Sequence, residues 1–135
     1  MKPNELRIGN YIHRLDLVSK EPRIENVIEL QENKAVCSGP FKVNLSYDDL
    51  QPIPLTEQWL IEFGFEKKTY QNLTLYCYSL KVLSHGEISF HPKDSGFNLD
   101  LGTTTGYQFG KTKIKYVHQL QNLYFALTGE ELTTT

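Results

Sequence analysis

The sequence predicts an α+β protein. A small N-terminal SH3-like β-barrel is expected over residues 1–55. A plug helix, an antiparallel β-meander and a packed C-terminal helix follow over 56–135, the two parts fused into one compact unit. Three observations predict this. Short runs of β-branched and aromatic residues, broken by Gly, Pro and Asn, fill the first 55 positions. The apolar period changes from two to helical at 52–65, PIPLTEQWLIEFGF. The final third carries a stretch, 116–129, with no Asp, Glu, Lys or Arg.

In chain order, strands are expected at 9–15, 23–31, 34–38 and 41–47. Glu32-Asn33 stands where a tight hairpin turn is needed, and Ser38-Gly39-Pro40 breaks the chain again. Four or five closely spaced strands of about six residues suggest a small curled sheet or an SH3-like barrel. In the helix that follows, Thr56 can cap the first turn, Leu55 and Leu60 stand at staple positions, and Glu57 suits the positive end of the helix dipole. Gly64 supplies a left-handed stop that lets Phe65 fold back on Leu60. Trp59, Leu60 and Phe63 share the inward face of this helix, which is read as plugging one end of the barrel. Strands return at 73–82, 87–91 and 97–101, separated by turns at Ser84-His85-Gly86 and Asp94-Ser95-Gly96. Phe97, Leu99 and Leu101 alternate with Asn98 and Asp100, the pattern of a sheet with one covered face. A Gly/Thr-rich loop at 102–110 and a strand at 111–116 lead into the last helix, through Leu127.

With 135 residues and a net charge of −2, the chain can bury one real core or two fused lobes. No apolar run approaches the ~18 residues of a membrane span, and Lys2, Glu5 and Arg7 stand where a signal peptide would be apolar. A cytoplasmic protein without membrane attachment is expected. Cys37 and Cys77 have no CxxC spacing and read as two buried thiols.

The string TGYQFGKT at 105–112 misses the phosphate-binding pattern GxxxxGK[ST] at its first glycine, and only 23 residues follow it, too few for the parallel sheet such a loop needs. It reads as a hairpin loop ending in an exposed lysine. His85, His91, Asp94 and Cys77 could compose a zinc set on paper, but two of them fall in separate turns and Pro92 interrupts the pair of histidines. His13 and His118 are isolated, and no Ser or Cys carries the signature of an activated nucleophile. No catalytic residue, metal site or cofactor is therefore assigned, and an enzyme ranks well below a binding module.

Nucleic-acid binding has a specific candidate set: Arg7, Tyr11 and Arg14 along the first strand, and the alternating ladder Lys111, Lys113, Lys115. Three aligned lysines on an acidic chain would make few phosphate contacts. A lysine row of this kind also guards exposed edge strands.

In the C-terminal helix, Tyr116, Val117, Leu120, Leu123, Tyr124 and Leu127 fall on one stripe, which is core. Opposite lie His118, Gln121, Asn122 and Phe125, an aromatic ringed by neutral polar groups. Either the helix is sandwiched inside the protein, or this second face is the centre of an interface, where charge is depleted.

Three segments, ELRIGNY at 5–11, PIPLTEQWLIEFGF at 52–65 and KYVHQLQNLYFALTGEEL at 115–132, cover 39 of the 135 residues. Together they resemble a group of small uncharacterised proteins of Bacteroides-type bacteria and their phages or mobile elements. The resemblance implies a shared fold and that biological setting; the group carries no assigned activity. The expectation that results is a non-catalytic protein-interaction protein, meeting a partner or a second copy through the His118, Gln121, Asn122, Phe125 face. A nucleic-acid-binding small barrel is the second reading.

Overall fold

The computed structural model describes residues 1–15, 18, 20–39, 41–69, 76–82, 86–93, 96–102 and 112–135. Two antiparallel five-stranded sheets and two α-helices make it an α+β protein. The chain divides into two compact units, Met1–Pro54 with Tyr116–Ala126, and Leu55–Lys115 with Leu127–Thr135.

The first unit's sheet contains β1 (Tyr11–Leu15), β2 (Pro22–Leu30), β3 (Lys34–Ser38), β4 (Lys42–Ser46) and β5 (Leu50–Gln51), in the order β4-β3-β2-β1-β5. Gln31 N–H donates to the Lys34 carbonyl at 2.9 Å, closing the two-residue turn at Glu32-Asn33. After β4 a 3₁₀ turn, Tyr47–Asp49, is capped by the Ser46 hydroxyl and redirects the chain so that β5 runs beside β1. The core face carries Ile12, Val27, Ala35, Cys37 and Leu45, with Leu6 and Tyr47 closing its ends. The sheet is open, with β4 and β5 as its two edges. This corrects the expected closed barrel: β5 is two residues long and pairs with β1 alone, too short a strand to carry the sheet round to β4.

Helix α2 (Val117–Thr128) begins where Val117 N–H donates to the Ile53 carbonyl, and it stops at Gly129, whose φ of +75° ends the helical run. Its residues through Ala126 group with the first sheet rather than with the meander it was expected to cover. Its inward face also differs from the expected stripe. Val117, His118, Leu120 and Gln121 are buried, whereas Leu127 is exposed.

In the second unit, α1 (Glu57–Glu62) precedes β6 (Glu66–Thr69), β7 (Tyr76–Val82), β8 (Gly86–Lys93), β9 (Gly96–Gly102) and β10 (Lys113–Ile114), arranged β10-β9-β8-β7-β6. The Thr56 hydroxyl accepts from Trp59 N–H, Gly64 adopts φ +86°, and Phe65 N–H returns to the Leu60 carbonyl, so cap and stop act where their chemistry places them. Helix α1 groups with the meander. Leu60, Phe63 and Phe65 are buried, and Phe65 packs its ring 5.5 Å from that of Phe90. Trp59 is only half-buried, with Phe63 as its aromatic neighbour. Gly96 is required by close approach as well as by its φ of +145°: a Cβ there would lie 3.0 Å from the Ile114 carbonyl oxygen of β10. The start of the expected strand at 73, the Ser84-His85 and Asp94-Ser95 turns, and the 103–110 loop lie outside the described residues.

Candidate functional site

The helix face expected to meet a partner is engaged within the first unit, by the turn that leads into β1. Arg7–Asn10 is that turn. Asn10 N–H donates to the Arg7 carbonyl, the Asn10 side-chain oxygen accepts from Arg7 N–H at 2.8 Å, and Gly9 takes the positive φ that only a glycine adopts without strain. A turn of this shape leaves one carbonyl and one N–H pointing away from the sheet. Gln121 meets both: its Oε1 accepts from Tyr11 N–H at 2.9 Å and its Nε2 donates to the Gly9 carbonyl at 3.1 Å. The glutamine amide copies a backbone peptide unit, so the helix is stitched to β1 as a further strand would be.

Asn122 extends the contact. Its oxygen accepts from Asn10 Nδ2 at 3.0 Å and its own Nδ2 donates to the Glu5 carbonyl at 2.9 Å. Phe125 lies beneath the Arg7 guanidinium, with Cζ 3.5 Å from the ring centroid. His118 is 4% exposed and stacks on Tyr116; burial lowers its pKa, against the opposing pull of Glu5, so it sits neutral, with Nδ1 unpartnered among the described residues. Gln121 is 1% exposed. Amides do not ionise, so Asn10, Gln121 and Asn122 hold and align backbone and supply neither acid nor base.

Two of the three resembling segments, 5–11 and 115–132, therefore supply opposite halves of one contact. The third meets the C-terminal segment through two backbone hydrogen bonds, Val117 N–H to the Ile53 carbonyl in the first unit and Leu55 N–H to the Lys115 carbonyl in the second. No protein family, curated protein or solved structure matches the chain.

The cations expected on nucleic acid have separate fates. Arg7 is stacked on Phe125, and Arg14 reaches Glu25 at 3.8 Å. Tyr11 is half-buried beside Gln121. Lys113 and Lys115 are exposed, and β10 is an edge strand. Lys111 lies outside the described residues, as do His85 and Asp94 of the paper zinc set. Among the described residues, no three His, Cys, Asp or Glu side chains come together as metal ligands, and no helix is long and apolar enough to cross a membrane.

Sequence reasoning missed the buried Glu25. Its carboxylate pairs with Arg14 through one oxygen, while the other is buried without a partner against Gly39, where a Cβ would lie 2.6 Å from it. That carboxylate and burial push the Cys37 thiol up to about 11, which leaves it protonated and inert. The signal available was Ser38-Gly39, since a glycine after a strand also permits close approach.

The second unit missed by the sequence is a charged row on the outer face of its sheet. Lys68 Nζ reaches Glu87 at 2.7 Å, which raises the lysine and, with the Ser79 hydroxyl, lowers the carboxylate. Ser79 and Ser89 stand opposite each other beside it. A lysine held protonated cannot act as a base toward either serine. On the other face, Lys67 sits over the Tyr76 ring at 4.0 Å and 3.9 Å from Glu57. The buried Tyr78 hydroxyl makes no well-formed hydrogen bond, and burial, then Glu57, push its pKa up.

Proposed function

We propose that the protein is a non-catalytic protein-interaction protein of phage or mobile-element type. The setting rests on the resemblance of the three segments. The interaction reading rests on one observation: the outer face of β1 and β2 displays apolar side chains to water. The register sets His13 opposite Ile24 and Leu15 opposite Pro22, and Ile24 and Leu15 are 54% and 44% exposed. A solvated sheet face normally collects charges at such positions, and a contiguous apolar strip is the usual mark of a docking surface. The α2 face contributes to this surface from within, by fixing the start of β1.

The small-barrel reading with nucleic acid as ligand keeps Lys113 and Lys115 as exposed cations. Two phosphate contacts give a weak, shallow salt dependence. A photo-reactive residue at position 24, and separately at 113, tests the two readings in host cells. The expected result is a discrete protein adduct from position 24 that disappears with Leu15→Asp, and no nucleic-acid adduct from 113. Nucleic-acid adducts from 113 with none from 24 would reverse the assignment.

A further inference from the structure

We propose that the free edge of β4 pairs with the β4 of a second copy of this chain, two-fold and antiparallel about Asn44. The inference goes beyond the interaction reading and uses a different surface, the sheet edge rather than the β1–β2 face.

The direction of the backbone groups follows from the hairpin. Gln31 N–H bonds the Lys34 carbonyl, so Lys34 turns its groups toward β2. Strand alternation then turns Ala35 and Cys37 toward β4, where they stand opposite Leu45 and Val43. Val43 and Leu45 thus bond inward, and Lys42, Asn44 and Ser46 aim their N–H and C=O groups outward from an edge strand. All three are exposed. Their spacing is self-complementary: a two-fold axis at Asn44 sets Asn44 opposite its own copy and Lys42 opposite the second copy's Ser46. Each outward group then meets an outward group of opposite sense.

Side chains agree with that register. Lys42 faces a serine rather than another lysine, and the 3₁₀ turn that this serine caps carries the exposed Asp48, of charge opposite to the lysine's. The lysine that would guard this edge against arbitrary strands is matched in this one pairing. On the core face, Phe41, Val43 and Leu45 alternate. Leu45 is buried, Val43 is half-buried against the core, and Phe41 is 81% exposed, so the apolar face runs out at this edge uncovered. The two-fold pairing sets Val43 opposite the second copy's Leu45 and carries Phe41 over the end of that copy's core.

The experiment is sedimentation equilibrium of the full chain up to about 1 mM, the weak end of specific association, with Phe41→Ser and Asn44→Pro. Proline at 44 removes an outward N–H and leaves the bonds to β3 in place, as edge strands tolerate. The expected result is a wild-type dimer whose Kd rises at least tenfold in each variant, with hydrogen exchange of β2 and β3 amides unchanged. Should Asn44→Pro unfold, Phe41→Ser alone decides. A monomer throughout the range, including one that binds another protein's strand at this edge, overturns the proposal, as does a dimer indifferent to Phe41→Ser. Adducts from position 24 in a monomeric protein would sink the dimer and leave the interaction reading standing; a dimer without those adducts would do the reverse.

Discussion

The two sheets have the same strand count and the same antiparallel order of neighbours, yet they fix their covering helices by different chemistry. In the first unit α2 is held by amides: Gln121 and Asn122 bond backbone groups of Glu5, Gly9 and Tyr11. In the second, aromatic packing ties the chain just after α1 to the sheet and the strands to each other, with Phe65 on Phe90 and Tyr78 edge-on to Phe97 at 6.3 Å. Aromatic packing is tolerant of small shifts, because apolar burial has no direction. An amide bonded at both ends is not, because a displaced partner leaves a buried polar group without water or bond. The amide contacts of the first unit therefore specify helix position more sharply than apolar burial alone would.

The largest expected effect breaks the aromatic side. Phe90 is fully buried against Phe65, and Phe90→Ala should cost about 3–5 kcal/mol, the range for a buried aromatic whose cavity cannot close. Amides of β7, β8 and β9 should lose protection in hydrogen exchange. Protection that persists there would mean the ring is not the keystone of that sheet.

The amide side comes next. Gln121→Leu keeps volume and helix propensity but orphans Tyr11 N–H and the Gly9 carbonyl, each at roughly 1–3 kcal/mol when buried. The expected loss is about 2–4 kcal/mol, read as exchange of β1 and α2 amides. If leucine instead proves neutral, water reaches those groups and the helix is held by Val117 and Leu120 alone.

These two sites also mark the division between what was and was not legible in the sequence. The Glu32-Asn33 turn, the Thr56 cap and the Gly64 stop were legible because their chemistry is complete within a few residues. The inward face of α2 was not. Residue type alone does not separate a sandwiched face from an interface; Gln121 is buried and Asn122 half-buried on backbone groups 110 and 117 positions away. Nothing local in the sequence likewise signals that the Arg7 guanidinium lies over the Phe125 ring, 118 positions away. Closure of the barrel was illegible for a related reason: it depended on the length of β5, set by where Pro52 stops the strand rather than by any pattern within it.

A smaller effect separates the units by pH. His118 is held neutral by burial, so its folded pKa lies below the unfolded value of about 6.5. Above that value the histidine is neutral in both states and its contribution to stability is fully present. As pH falls through 6.5 toward the folded pKa, the unfolded chain takes up a proton the folded one refuses, and stability declines. Hydrogen exchange between pH 7.5 and about 5.5, corrected for intrinsic rates, should show α2 and β1 losing protection while α1 holds. His118→Phe should flatten the loss. An identical decline in that variant would assign it to other groups, such as the half-buried His13, whose pKa burial also lowers.

The smallest effect concerns the Lys68–Glu87 ion pair, whose atoms are 2.7 Å apart. Short distance suggests strength, and the two serines beside Glu87 suggest a site. Both side chains are nonetheless substantially exposed, at 44% and 31%. Exposed pairs return little, because Coulomb attraction is screened by water and two long side chains must be held still. Lys68→Met should therefore barely change stability, far less than the uncharged Gln121 substitution in the other unit, and the difference should shrink further at high salt. The contrast rests on burial: an amide that water cannot reach outweighs a full charge pair that it can. A cost for Lys68→Met equal to that of Gln121→Leu would require this face of the sheet to be covered, and covered surfaces have partners. That result would move the search for one from the first unit to the second.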